Sequence, residues 1–365
     1  MFPIRILHLP NTLDKRSGVM SVIMNFYRNI DREKIQFDFL CFDSEKENYE
    51  DEINKLGGKI FYISSKYKKN PFRIKKEVTY FFSNHDYPII HYHTISIWNL
   101  ALRISKKLGV KNRIAHSHAT NYSESKIGSI RNKIFSKNIT KNANYFFACS
   151  TEAGELLFKN KKFILINNAI DLKRFSYDSI IRDEYRKKLG LINEFVIGHV
   201  GRYAEQKNHL YLLDIFAEYQ VINNQSKLLL IGEGPLKENI EHKARELNIY
   251  KDIIFVGFNQ EVEKYYQAMD LFILPSLYEG LPVAGIEAQA SGLPCMFSNT
   301  ISKEVDLCGS YFIDINEEAL KNTMQIVNLE KNYIRGKTDG KIKEKNYDIE
   351  LEAKKLEEMY LAMTN

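Results

Sequence analysis

Short apolar runs of four to eight residues return along this chain, each separated from the next by a longer amphipathic stretch. In the first half the runs are IRILHL (4–9), FDFLCF (37–42), KIFYIS (59–64), PIIHYH (88–93), NRIAHSH (112–118) and NYFFACS (144–150), with helix-like segments such as VMSVIMNFYRNI and ISIWNLALRISKKLG between them. The second half repeats the scheme with FVIGHVG (195–201), KLLLIG (227–232), DIIFVGF (252–258), LFILPS (271–276), PCMFS (294–298) and SYFIDI (310–315). Strands that are apolar on both faces and alternate with helices need a helical layer on each side, which is the condition of a parallel sheet. The sequence predicts an α/β fold of two doubly wound sheets in tandem, that is, two Rossmann-like domains.

A chain of 365 residues also exceeds what one hydrophobic core usually serves. A fresh helix-like stretch, SIIRDEYRKKLGL, follows the run FILINNAI, so the boundary is expected between Asn168 and Arg174. We expect a first domain over residues 1–170, a second over 171–345, and a final amphipathic helix over 346–365 with Leu351, Leu356, Met359, Tyr360 and Met363 available for one stripe. A cleft between two such domains is the default place for a ligand.

The net charge of +6 conceals an asymmetry: residues 1–170 hold 28 Lys and Arg against 15 Asp and Glu, while residues 171–365 hold 24 against 31. The first half suits an anionic surface and the second does not. No apolar run approaches the roughly 20 residues that span a bilayer, and the start MFPIRILHLP lacks the apolar core of a signal peptide. A cytoplasmic chain is expected, with no nucleic-acid partner. Cys41, Cys149, Cys295 and Cys308 are too scattered for a Cys-x-x-Cys site and are read as reduced, mostly buried thiols.

In open parallel sheets ligands sit beyond the carboxyl ends of the strands, so the loops there carry the chemistry. After the run ending at Gly201 come Arg202 and Lys207, two cations five positions apart before the helix-like HLYLLDIFAEY. A guanidinium and an ammonium beside a helix N-terminus form a diphosphate clamp; Lys207 taken alone also reads as a solvated loop charge. Gly232, Gly234 and Gly257, the last followed by Phe258, let backbone approach a ligand, and each reads equally well as turn punctuation. The loop from Pro275 opens a helix: Glu279 precedes it, Glu287 lies within it, and the free amides near Val283, Ala284 and Gly285 point above the sheet. Glu279 could serve only as a helix cap. Glu287, between Ile286 and Ala288, is harder to place without a ligand, because an unpaired buried charge is costly.

The segment EGLPVAGIEAQASGLP, with Glu279-x7-Glu287 inside it and GRYAEQKN and LLLIGEGP upstream, resembles the retaining glycosyltransferases of family 4. The resemblance covers the second half of the chain. It implies the two-domain GT-B fold and a nucleotide diphosphate sugar as donor, with UDP-sugar favoured. It further implies that Arg202 and Lys207 grip the pyrophosphate, Glu287 binds the ribose, Glu279 reads a sugar hydroxyl, Gly257 and Phe258 border the base, and the amides of Val283, Ala284 and Gly285 complete the contacts. The family's last helix returns to the first domain, a role that 346–365 can fill. Family members place paired glycines in the first loop, where this chain has Ser17-Gly18, so only Gly18 carries across.

Two His-x-His pairs, His91/His93 and His116/His118, end predicted strands, each pair on one face. Four imidazoles could ligate zinc, but no cysteine or carboxylate stands at ligand spacing and no metal is expected. By resemblance His116, or His118 if the alignment slips by two, lies near the donor sugar and the reacting centre, and His93 is a further contact; structural strand-end histidines are the alternative. Asp-x-Asp is absent from the sequence, so the two cations are expected to replace a metal ion and no cofactor is required.

Between Lys126 and Lys141, Ile127, Ile130, Ile134, Phe135 and Ile139 share a predicted helix with Arg131, Lys133 and Lys137. With YKKNPFRIKKE (67–77), this reads as a face for an anionic membrane or as an ordinary core helix with a solvated side. The expected function is transfer of a hexosyl-type unit with retention to an acceptor hydroxyl, on a saccharide or lipid-linked saccharide of capsule or exopolysaccharide synthesis, peripheral to the inner membrane face. The rivals are a sugar-nucleotide epimerase of the same fold, which would alter donor without acceptor, and a non-catalytic membrane-surface or sugar-nucleotide-sensing module, which would turn over neither.

Overall fold

The computed structural model describes all residues except 1, 44–46, 69, 94–97, 123–125, 260, 334 and 365; at 126 and 127 only the backbone is described. The chain divides into one compact unit of Met1–Ala169 with Asn346–Asn365 and a second of Ile170–Lys345.

The first unit is built on seven parallel strands: β1 (Ile4–Leu9), β2 (Ile35–Phe42), β3 (Ile60–Ile63), β4 (Ile89–Tyr92), β5 (Asn112–Ser117), β6 (Tyr145–Ala148) and β7 (Ile164–Leu165), in the order β3-β2-β1-β4-β5-β6-β7. Every residue of β2 is buried, which explains its largely apolar character, and the one carboxylate in it, Asp38, is held by Arg5, Tyr87 and the amide of Lys59. The helix Gly18–Asn29 is capped by Ser17, whose hydroxyl accepts from the Met20 amide.

The helix Ile349–Thr364 packs against Gly18–Asn29 and β4. Its buried stripe is Ile349, Ala353, Leu356 and Tyr360; Leu351, expected in that stripe, is exposed, because it lies two positions from both Ile349 and Ala353 and so on the opposite face of the helix. The basic segment also departs from expectation. The helix stops at Ser136, and Ile139 belongs to a separate turn, Ile139–Asn142, where it is fully buried in the main core; Ile130 and Ile134 stay exposed, and the side chain of Ile127 lies outside the described residues.

The second unit has six parallel strands: β8 (Phe195–Val200), β9 (Ser226–Ile231), β10 (Ile253–Gly257), β11 (Leu271–Leu274), β12 (Cys295–Ser298) and β13 (Tyr311–Ile313), ordered β10-β9-β8-β11-β12-β13. The order reverses direction between β8 and β11, so the loops after these two strands flank the switch point where α/β sheets accept ligands. Cys41, Cys149 and Cys295 are buried thiols and Cys308 is partly accessible; none is in a disulfide. No helix among the described residues is long and apolar enough to cross a membrane.

Candidate functional site

The carboxyl ends of β8, β9 and β10 lie side by side in the second unit. The Gly201 amide donates to the Ile231 carbonyl and the Gly232 amide to that of Gly257. Gly232 has φ +147°, and a Cβ on it would stand 2.0 Å from the Gly201 carbonyl oxygen, so no side chain fits. Gly257, at φ +77°, ends the third strand, with a half-buried Phe258 after it.

Beyond Gly201 the backbone passes Arg202 and forms a short 3-10 turn, Glu205–Lys207, before the helix His209–Ile222. The turn is tied to the loop after β11 through the Leu277 amide, which donates to the Gln206 carbonyl at 2.8 Å. That tie brings Lys207 to Glu279: the ammonium is 2.5 Å from Oε1, and the two side chains are 16% and 10% exposed. Ser276 Oγ donates to the same carboxylate at 2.9 Å and Gln206 Nε2 at 3.2 Å. Glu279 is therefore no helix cap. The cap residue of Val283–Ala290 is Pro282, which offers no side-chain acceptor. Arg202 contrasts with Lys207: it is exposed, and its guanidinium takes no partner among the described residues.

Glu287 sits on the helix Val283–Ala290, where the Tyr266 hydroxyl donates to its Oε2 at 3.0 Å and to the Ala284 carbonyl at 3.2 Å. One edge of Glu287 stays accessible, yet burial pushes its carboxyl up to about 7, with the Tyr266 hydrogen bond acting the other way. The first intrahelical bonds run from Gly285 and Ile286 to the Pro282 carbonyl, so the amides of Val283 and Ala284 precede the hydrogen-bonded turn and face outward from the helix start. Anionic groups are favoured there.

Gln206, Ser276 and Tyr266 carry the geometry of this site and were not foreseen. A serine ending a strand or a tyrosine in a helix is unremarkable in sequence, and only the fold shows that each touches an acidic residue of the pattern.

The first unit holds the histidines. His8 (β1), His91 (β4), His93, His116 (β5) and His118 form one cluster of rings in which the first four are buried and His118 partly so. Burial lowers His8 and His118 to about 3 and the other three well below the ordinary imidazole value, so all five are neutral. Gly18, the first residue of its helix, has open space where a Cβ would stand. The donor-pattern residues thus assemble in the second unit, and His116 and His118 in the first.

Residues 16–174 match the family described as Glycosyltransferase Family 4, and residues 181–324 match Glycosyl transferases group 1. The chain is 35% identical over 314 residues, 83% of its length and 81% of the relative's, to a Bacillus subtilis (strain 168) protein named as a glycosyltransferase, EpsF. Over 150 residues, 40% of this chain and 38% of the other, it is 37% identical to an Escherichia coli UDP-Gal:alpha-D-GlcNAc-diphosphoundecaprenol alpha-1,3-galactosyltransferase. Among solved structures, Anabaena Alr3699/HepE in complex with UDP-glucose superposes with a TM-score of 0.75 at 15% identity, covering 99% of this chain and 97% of that one, a likeness of fold. With both halves matched and a relative of this identity along most of its length, the chain belongs to glycosyltransferase family 4 and has the GT-B fold.

Proposed function

We propose that this glycosyltransferase moves a hexosyl-type unit with retention from a UDP-sugar to a hydroxyl of a lipid-linked saccharide, in the making of a capsule or exopolysaccharide. The observation that carries the donor half is the pair of cations at the end of β8. Lys207 is fixed against Glu279 and Arg202 is free to turn, beside glycines that admit backbone to phosphate. Stabilising the departing diphosphate with these cations and with the amides of Val283 and Ala284 is the main source of rate, since charge develops there as the glycosidic bond breaks. Glu287 then holds the ribose and Glu279 a sugar hydroxyl. In the first unit, His116, or else His118, stands near the donor sugar and the reacting centre. No cofactor is needed.

Support for UDP and for a lipid-linked acceptor comes from the names of the Escherichia coli galactosyltransferase and the Anabaena complex. The exposed Ile130 and Ile134, beside exposed Arg131, Lys133 and Lys137, supply a face for an anionic bilayer. The deciding experiment is a panel of labelled UDP-, GDP- and ADP-sugars with and without a polyprenyl-diphosphate saccharide, the product's anomeric configuration being read by NMR. Retained configuration and acceptor-dependent consumption of a UDP-sugar support the proposal. An epimerised donor in the absence of acceptor would establish the epimerase instead.

A further inference from the structure

Five histidines from three neighbouring strands converge on one face of the first sheet, where the sequence shows only two separate pairs. Their nitrogens run in two files. His116 Nδ1 meets His91 Nε2 at 3.1 Å, and His91 Nδ1 meets the Tyr360 hydroxyl at 2.6 Å. His8 Nδ1 meets His93 Nε2 at 2.9 Å, and His93 Nδ1 meets His118 Nε2 at 3.0 Å.

A neutral imidazole has one N–H and one lone pair, so each contact constrains the next. If His116 Nδ1–H donates to His91, His91 Nδ1–H donates to the Tyr360 oxygen. If His93 Nε2–H donates to His8, the lone pairs left over are those of His116 Nε2 and His93 Nδ1. His116 Nε2 is buried and has no hydrogen-bond partner among the described residues, on a residue only 3% exposed. One ring nitrogen from each of His93, His116 and His118 lies within 4.8 Å of the other two. Nitrogens around a tetrahedral zinc ion, each about 2.0–2.1 Å from it, stand only a little farther apart than the 3.0 Å between His93 and His118. An ion there would take the place of the proton those two rings share.

The space is small. A cavity of about 10 Å³ lies among the rings, closed by Tyr360 and by apolar side chains such as Phe26, Phe37 and Leu356. That volume accommodates one water-sized body and no organic ligand.

We propose that His93, His116 and His118 bind one divalent ion of the late first-row transition series, of which zinc is the member most often held by three imidazoles. His91 with Tyr360, and His8, are the outer partners that fix the ligands' tautomers. The fourth coordination position opens on the side of His118, the most accessible ring of the three. Among the described residues no carboxylate or thiolate joins the set, so the site selects against Mg2+, which prefers oxygen ligands. With His116 or His118 near the donor sugar and the reacting centre, which rests on the function proposed above, metal loading occupies the lone pair and lowers turnover.

The test uses the full chain, dialysed against chelator and then titrated with Co2+ alone, without donor or acceptor, so that its outcome is separate from that of the transferase assays. The expected result is one equivalent bound, with the visible absorption of an imidazole-bound Co2+ ion, displaced by Zn2+ and unaffected by excess Mg2+. His118→Gln should abolish the absorption, Tyr360→Phe should weaken binding about tenfold through its outer contact, and His242→Gln, at an exposed ring in the second unit, should leave it unchanged. Parent protein that binds no more Co2+ than His118→Gln overturns the proposal, and the cluster is then a hydrogen-bonded core feature only.

Discussion

Lys207 and Glu279 are joined, 2.5 Å apart, in a site whose neighbouring cation Arg202 is unpaired among the described residues. The pair is held by residues 72 positions apart in the chain, and its position is set by the backbone bond between Leu277 and Gln206. Two partly buried opposite charges rarely repay their desolvation in stability alone. They stand at the switch point, where the proposed diphosphate site would use them.

Arg202→Ala and Lys207→Ala should each lower turnover by about a hundredfold or more, because each removes charge from the leaving diphosphate. They should differ in stability. Lys207→Ala leaves the Glu279 carboxylate short of its cation at a cost of about 1–3 kcal/mol, whereas Arg202→Ala should leave the unfolding midpoint unchanged. Adding Glu279→Gln to Lys207→Ala should restore the midpoint without restoring turnover. Activity within a few-fold of parent in both single variants rejects the diphosphate clamp.

Glu287 supplies a pH dependence. Its carboxyl is raised from 4.5 to about 7, so its contribution to stability is fully present below pH 4.5 and is lost as the pH rises through 7. Glu287→Gln should therefore raise the melting temperature of the ligand-free protein at pH 8 and change little at pH 4.5. If Glu287 holds the ribose as proposed, binding of UDP should strengthen between pH 6 and pH 8 more steeply in the parent than in the variant, as calorimetry would show. Glu279→Ala should spare UDP and impair the intact donor; equal losses for both ligands in both variants would reject that division of roles.

EDTA should not lower transfer activity, since the cations at the diphosphate are side chains; any change should be a gain, from removal of an ion held at His93, His116 and His118. A strict requirement for Mg2+ or Mn2+ would place a metal at the donor.

Arg131, Lys133 and Lys137 changed together to Ser should reduce sedimentation with anionic vesicles, each basic residue near such a surface contributing about 1 kcal/mol. Ile130→Ser with Ile134→Ser should do the same through lost apolar insertion, and these side chains, 64% and 65% exposed, can be changed at little cost to folding. Both variants should keep activity on a short soluble acceptor. Equal sedimentation of parent and variants would leave this helix as a solvated face.

The sheets were legible because a strand buried on both faces writes its character into consecutive residues, as Ile35–Phe42 does. Glu287 stood out because charge in an apolar context is costly, and Glu279 because it stands eight positions before it in a pattern that resembles the family's. What escaped was pairing across the chain. Ser276 and Tyr266 acquire meaning only beside those two carboxylates, and His8 only when β1 lies in register with β4, His8 opposite His91. The basic segment misled for another reason: Ile139 reads as a further member of the helix of Ile130 and Ile134, while the break after Ser136 buries it and leaves the other two exposed.

The helix Ile349–Thr364 completes the first unit from the far end of the chain, with all of Ile170–Lys345 made in between. During synthesis, residues 1–169 emerge with the face that Tyr360 and Leu356 will cover still open to water. At 5–20 residues per second the intervening 176 residues, Ile170–Lys345, take roughly 10–35 s to make. The nascent first unit must wait that long with β1, β4 and the histidine rings uncovered, a period in which a chaperone or the membrane surface can hold it. A premature stop within 170–345 therefore removes the lid of the domain already made as well as the rest of the second.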